Sequence, residues 1–256
     1  MTATVADLRA LIERAQPGAV RVAAEPGAPG GVLPVLDPLR PLFPAGGLRR
    51  GSTVEVAVQD GAVGVGPAGR RGSTGSAGYV ERPEPGGCSL LLALLAGASA
   101  AGSWCVLVGA PGLGLAAAAE AGIDLSRFAL VPAPGGAWAR AVGALVDGFD
   151  LVVVRPPAVL ALAEARGLSA RARHHGAVLV SLGAWPGAEL RLTTVGSSWT
   201  GLGGGYGNLS ARQIVVRASG RGASGGGVRT VELWLPDAAG RPAAAAVEPE
   251  YREAVG

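Results

Sequence analysis

The sequence predicts an α/β protein: a mainly parallel sheet flanked by helices, with antiparallel strands added toward the C-terminus. Three observations lead there. Between about residues 88 and 182, helix-like segments alternate with short apolar runs, which implies βαβ crossovers and therefore parallel pairing. The run Leu151-Val152-Val153-Val154 is apolar throughout, as in a strand buried on both faces. Beyond Leu190 the pattern becomes an apolar/polar alternation with no helices between, as in antiparallel ribbons at a sheet edge.

The elements follow in order. Val5, Leu8, Leu11 and Ile12 recur at helical spacing between Asp and Arg residues, which reads as a short amphipathic helix. Residues 17–31 are rich in Pro, Gly and Ala and read as a linker. The turn-rich stretch 44–51 leads into a β-branched strand at 53–58. Residues from about 60 to 85 are polar and glycine-rich, and they are expected to form a disordered loop. Helices are then expected at 88–101, 113–121, 136–146 and 158–173. Strands are expected at 104–108, 128–131, 151–154 and 177–182, followed by edge strands at 190–195, 212–218 and 229–235. The Ala/Pro-rich end from Pro236 is expected to be mobile. The organisation is thus an N-terminal helix and linker (1–31), a core (32–235) with an insertion at about 60–85, and a flexible tail (236–256).

Composition narrows the chemistry. All 22 basic residues are arginine, so a lysine Schiff base or a lysine phosphate clamp is excluded. The net charge of +3 permits a nucleic-acid contact without demanding one. Cys88 and Cys105 fit neither a disulfide framework nor a zinc pattern. Both sit in apolar sequence, are expected to be buried free thiols, and suit a reducing cytoplasm. Asp7 and Glu13 stand where a signal peptide would be basic and then apolar, so a cytoplasmic location is expected. The uncharged stretch from Pro85 to Ala119 is split by glycines into pieces shorter than the ~20 residues of a membrane helix, so no membrane span is expected.

Five segments in order are similar to the RecA-type ATPase core. They are Gly46-Gly47-Leu48-Arg49-Arg50-Gly51 with Val54-Glu55-Val56, then Cys105 to Val108, Gly122 to Leu125, Phe149 to Val154, and Gly207-Asn208-Leu209 with Arg212 to Arg217. The resemblance implies a nucleotide site, and the residues standing there are the wrong ones. A P-loop needs glycines that let backbone N–H groups wrap the phosphates, a lysine on their oxygens, and a hydroxyl on magnesium. Here Gly86, Gly87 and Ser89 survive, Cys88 replaces the lysine, and Arg82 replaces the first glycine. Two prolines stiffen the loop, and Glu84 would repel a phosphate. Arg155 stands where the Walker B acid should follow Val154 and would repel Mg²⁺. Pro111 falls near the expected catalytic glutamate, and 177–182 does not end in the Asn-Gln pair that senses a γ-phosphate. The expectation is an ATPase fold without catalysis, with no catalytic residue, cofactor or metal. A bare helix N-terminus still attracts anions weakly.

Other chemistry is poorly supported. His174 and His175 are adjacent at a helix end, are expected to point apart, and have no carboxylate at ligand spacing. The glycine loop 201–207 precedes a strand, which is the wrong context for a dinucleotide site.

With Trp199-Thr200-Gly201-Leu202 and Gly207 to Arg212, the chain resembles actinobacterial ImuA-like proteins. That resemblance implies an accessory role in damage-induced mutagenesis. The implied partners are an ImuB-like inactive Y-family polymerase and an error-prone C-family DNA polymerase. Trp199 and Tyr206 flank the glycine loop as a stacking platform for single-stranded DNA, with Arg191, Arg212 and Arg217 near the phosphates. The competing reading packs Trp199 on the core and leaves the arginines on a solvated strand face. Val5, Leu8, Leu11 and Ile12 either dock on a neighbouring core, giving a homo-oligomer, or pack on their own domain. Two alternatives to the accessory role are a DNA-binding RecA paralogue that modulates recombination repair and an enzyme using the relic site.

Overall fold

A computed structural model describes residues 31–58, 86–201, 207–221 and 227–245. The expected N-terminal helix with Val5, Leu8, Leu11 and Ile12, the expected loop at 60–85 and Tyr206 lie outside the described residues.

A small antiparallel pair, β1 (Val32–Pro34) and β2 (Gly47–Arg49), opens the described chain. A 3-10 turn over Asp37–Leu42 lies between them and buries Leu39 and Leu42. The main sheet then begins with β3 (Thr53–Val56). Helix α1 (Gly87–Ala100) follows, then β4 (Cys105–Val108), α2 (Leu115–Glu120), β5 (Phe128–Val131) and α3 (Trp138–Val146). Next come β6 (Leu151–Val154), α4 (Leu162–His175) and β7 (Val178–Leu182). Four strands close the chain: β8 (Leu190–Thr200), β9 (Ala211–Ser219), β10 (Arg229–Trp234) and β11 (Ala243–Ala244).

The nine strands lie in the order β11-β10-β9-β8-β3-β7-β6-β4-β5. The six from β8 to β5 are mutually parallel, and β9, β10 and β11 add antiparallel. The sequence expectation is corrected at β8, which joins β3 in parallel and so belongs to the core of the sheet. The sheet also runs past residue 235, because β11 pairs with β10.

Two apolar layers flank the sheet. Leu151 and Val153 of β6 face the layer that holds α1, whereas Val152 and Val154 face the layer that holds α3 and α4. This two-sided burial is why β6 carries no polar residue. Helix α1 has no charged residue and is buried at every position from Leu90 to Ser99. The sheet covers one of its sides, and the chain from β1 into the 3-10 turn covers another. At Gly97 an added Cβ would come within 2.5 Å of the Val35 backbone, so only glycine lets that chain lie so close. Among the described residues, no helix is long and apolar enough to cross a membrane.

Polar residues in β3 have partners. Glu55 is buried and accepts hydrogen bonds from the Trp185 amide at 3.1 Å and from Arg191 at 3.2 Å. Thr53 donates to Ser169 at 3.1 Å, and the Trp185 indole reaches the same hydroxyl at 3.0 Å. At the amino end, Asp150 accepts from Arg50 and from the Trp104 amide, both at 2.9 Å.

Candidate functional site

In a parallel sheet, ligands gather where the carboxyl ends of the strands meet a change in winding direction. Here β3 leads through α1 to β4, three strands away, and β7 and β6 fill the gap. The amino end of α1 sits at the carboxyl end of β3. An added Cβ on Gly87 would lie 2.7 Å from Val58 and 3.3 Å from the Ala57 carbonyl, which reserves that position for glycine. Gly86 stands at the helix cap with φ +143° and, as glycine, offers no side chain of its own to cap it. The helix dipole makes this a positive terminus. Of the residues expected in the relic site, Gly87 is buried, Gly86 and Ser89 are half-buried, and Cys88 is exposed. The expectation that both thiols are buried is corrected at Cys88, which lies on the first turn before the helix enters the core. Arg155 is exposed at the carboxyl end of β6, and its carbonyl accepts from the Trp138 indole at 3.2 Å.

Strands β8 and β9 bring in the rest. The register of β8 against β9 shifts between Thr194 and Gly196, the mark of a β-bulge. Before the shift, even-numbered residues of β8 face α1, as Leu190 and Leu192 do. After it the parity reverses: Ser197 pairs with Ile214 and Trp199 with Arg212, and Ile214 belongs to the α1 layer. The bulge therefore gathers Thr194, Ser197, Trp199 and Arg212 on one face, beside the start of α1.

The contacts there are short. Arg212 Nη2 lies 3.1 Å, and Thr194 Oγ1 3.4 Å, from where a Gly86 Cβ would stand. Arg212 is only 7% exposed, donates from Nε to Ser197 Oγ at 2.9 Å, and lies 5.3 Å from the centre of the Trp199 ring. Trp199 is itself 47% exposed. Thr194 is 1% exposed, and its hydroxyl has no hydrogen-bond partner, the one such buried side-chain atom among the described residues. An orphaned buried hydroxyl costs about 1–3 kcal/mol.

Two sites that the sequence keeps apart thus meet. Gly86, from the segment expected to form the loop, stands beside Arg212, whose guanidinium in turn lies over the Trp199 ring. Arg191 and Arg217 are not part of this group, because they lie on the opposite face of the sheet. Arg191 there forms an ion pair with the buried Glu55 at 3.2 Å, and Arg217 pairs in register with Thr193 and Thr230. Sequence reasoning missed Thr194 and Ser197. The signal available for them was the glycine at 196, which interrupts the β8 alternation as a bulge does.

The histidine pair is also corrected. The two rings meet edge to face with centres 5.0 Å apart, and His175 Nε2 lies 3.2 Å from Asp147 Oδ1. Asp147 sits just past α3, so the fold supplies a carboxylate that local spacing does not reveal. Hydrogen bonding to the Arg171 guanidinium holds the Asp147 carboxyl below the usual carboxylate range. Among the described residues, no group of three or more His, Cys, Asp or Glu side chains could hold a metal ion.

Comparison with known proteins places residues 67–187 in a match to the family model described as the MT3502 N-terminal domain. The chain is also similar to the uncharacterized protein Rv3395c of Mycobacterium tuberculosis, with 41% identity over 131 residues. The aligned part is 48% of this chain and 64% of that relative, so the chain spans less than two thirds of the protein it matches.

Proposed function

We propose that this chain is a RecA-like, non-catalytic accessory protein of damage-induced translesion DNA synthesis that bridges or stabilises polymerase-associated partners. The partners are an ImuB-like inactive Y-family polymerase and an error-prone C-family DNA polymerase. The observation that carries the non-catalytic reading is Arg155. Its side chain is exposed at the carboxyl end of β6, one strand removed from β3, where the resemblance calls for a metal-binding acid. A guanidinium at that edge opposes Mg²⁺, and phosphoryl transfer depends on charge stabilisation of that kind. Cys88, where the lysine would be, adds an exposed thiol in place of an ammonium.

Support for the RecA-like core comes from six parallel strands with α1 following β3, the arrangement a P-loop helix requires. The mycobacterial relative comes from the lineage that the ImuA-like resemblance points to. A second reading, a DNA-binding paralogue in recombination repair, is favoured by the half-exposed Trp199 ring. It is weakened by Arg191, which is committed to Glu55, and by the burial of Arg212.

The test is genetic. Deleting the chromosomal copy should lower damage-induced mutation frequency to the uninduced level, and Cys88→Ala and Arg155→Ala variants should restore it fully. Loss of restoration in either variant, together with magnesium-dependent ATP turnover by the wild-type protein, would put catalysis back at the site.

A further inference from the structure

We propose that the amino edge of the sheet carries a binding pocket for an organic dianion, held by Arg49, Arg173 and Arg221. The pocket lies at the end of the sheet opposite Gly86 and Arg155, so it is independent of the accessory role and of the degenerate nucleotide site.

A cavity of about 610 Å³ lies where β3 and β8 begin. Small-molecule sites span roughly 300–1,000 Å³, so it has room for a small organic ligand. Phe43, Leu48 and Leu190 close its inner side and belong to the apolar layer around α1. The exposed Pro44 and Ala45 stand at its wall. An apolar body can therefore rest there.

Two close backbone approaches gather the arginines from distant parts of the chain. Gly51 has φ +78°, and a Cβ on it would lie 3.0 Å from the Arg173 Cα, so the turn after β2 lies directly on the last turn of α4. Gly220 has φ +124°, and a Cβ on it would lie 2.5 Å from the Glu189 carbonyl oxygen, so the turn after β9 lies directly on the start of β8. Only glycine allows either approach. Arg49 stands at the end of β2, Arg173 in the last turn of α4, and Arg221 just after Gly220. Glu189 ties the group together: it accepts from Arg49 at 2.8 Å and from Arg173 at 3.3 Å, and its amide donates to the Thr53 carbonyl at 2.9 Å.

Charge decides what fits. Among the described residues that line the cavity, three guanidiniums stand against one carboxylate, which leaves a surplus of two positive charges. Arg49 and Arg173 remain largely exposed beside Glu189, so donors of both guanidiniums are still open to a ligand. A dianion matches the surplus. Guanidinium forks recognise carboxylate and phosphate oxygens through paired hydrogen bonds. The apolar lining favours a dianion with an organic body over a bare, strongly hydrated ion.

This chemistry has two sources, a dicarboxylate and a phosphate monoester. The full chain is titrated by calorimetry at pH 8 and constant ionic strength with phthalate and with phenyl phosphate. Benzoate supplies the body with one charge, and inorganic phosphate supplies the charge without the body. At least one of the two organic dianions is expected to bind saturably, and the one that binds identifies the source. Benzoate and inorganic phosphate are expected to bind about tenfold more weakly or worse. Arg221→Gln should weaken binding about tenfold and, because Arg221 is exposed, should melt at the wild-type temperature without ligand. Arg140→Gln removes the same charge from the exposed side of α3 and should keep the affinity. Absence of saturable binding by both organic dianions overturns the proposal, as does equal affinity for benzoate or for inorganic phosphate. Unchanged affinity in Arg221→Gln, or equal weakening in both variants, overturns it as well.

Discussion

The two thiols differ by environment alone. Cys105 is buried in β4, and desolvation, with a smaller contribution from the Asp150 charge, pushes its thiol up to about 12. Thiolate is the reactive form, so at pH 8 Cys105 is silent in the folded protein. Cys88 sits exposed on the first turn of α1. A thiol reagent at pH 8 should therefore label one cysteine in the native chain and two after denaturation, with Cys88 identified by peptide mapping. Labelling of Cys105 in the native chain would mean that β4 opens. The sequence around both residues is equally apolar, and only the fold separates a helix start from a strand interior. Arg191 and Arg212 teach the same lesson. They look alike along the chain, yet one neutralises Glu55 on one face of the sheet and the other lies against Gly86 on the opposite face.

At the level of elements, hydrophobic period and run length were enough to locate the helices and strands between 87 and 182. The central strands β4, β6 and β7 are buried throughout, as their continuous apolar runs advertise. Partnering was less legible. Strand β8 alternates like an antiparallel ribbon because its outer face is wet, yet it pairs in parallel with β3. The β-bulge that assembles the candidate site depends on a register set by β9, a contact between distant segments. The apolar girth of α1 had the same origin: it is tolerable because the chain from β1 wraps it, closing on Gly97. Gly97→Ala gains up to about 1 kcal/mol of helix propensity. It also drives a Cβ into the Val35 backbone, and overpacking of this kind costs about 1–3 kcal/mol. The variant should unfold at a lower denaturant concentration with an unchanged slope. A higher midpoint would show that the β1 segment does not press on α1.

Taken whole, the described residues form a mostly parallel nine-stranded sheet, and on the reading proposed above its carboxyl edge lacks the charges of a phosphoryl-transfer enzyme. The grounds for that reading, the missing lysine and Arg155, are matters of residue identity and were legible in the sequence alone. The meeting of Gly86 with Arg212 was not legible, because more than a hundred residues separate them in sequence. The proposed role is exercised through surfaces, so it is tested through partners. The most direct measurement is capture of the tagged full-length chain from damaged cells after nuclease treatment, with co-purifying proteins identified by mass spectrometry. Enrichment of an inactive Y-family polymerase relative and a C-family polymerase, independent of DNA, is expected. Recovery of neither, with nucleic acid strongly bound before nuclease treatment, would contradict it and favour the recombination paralogue.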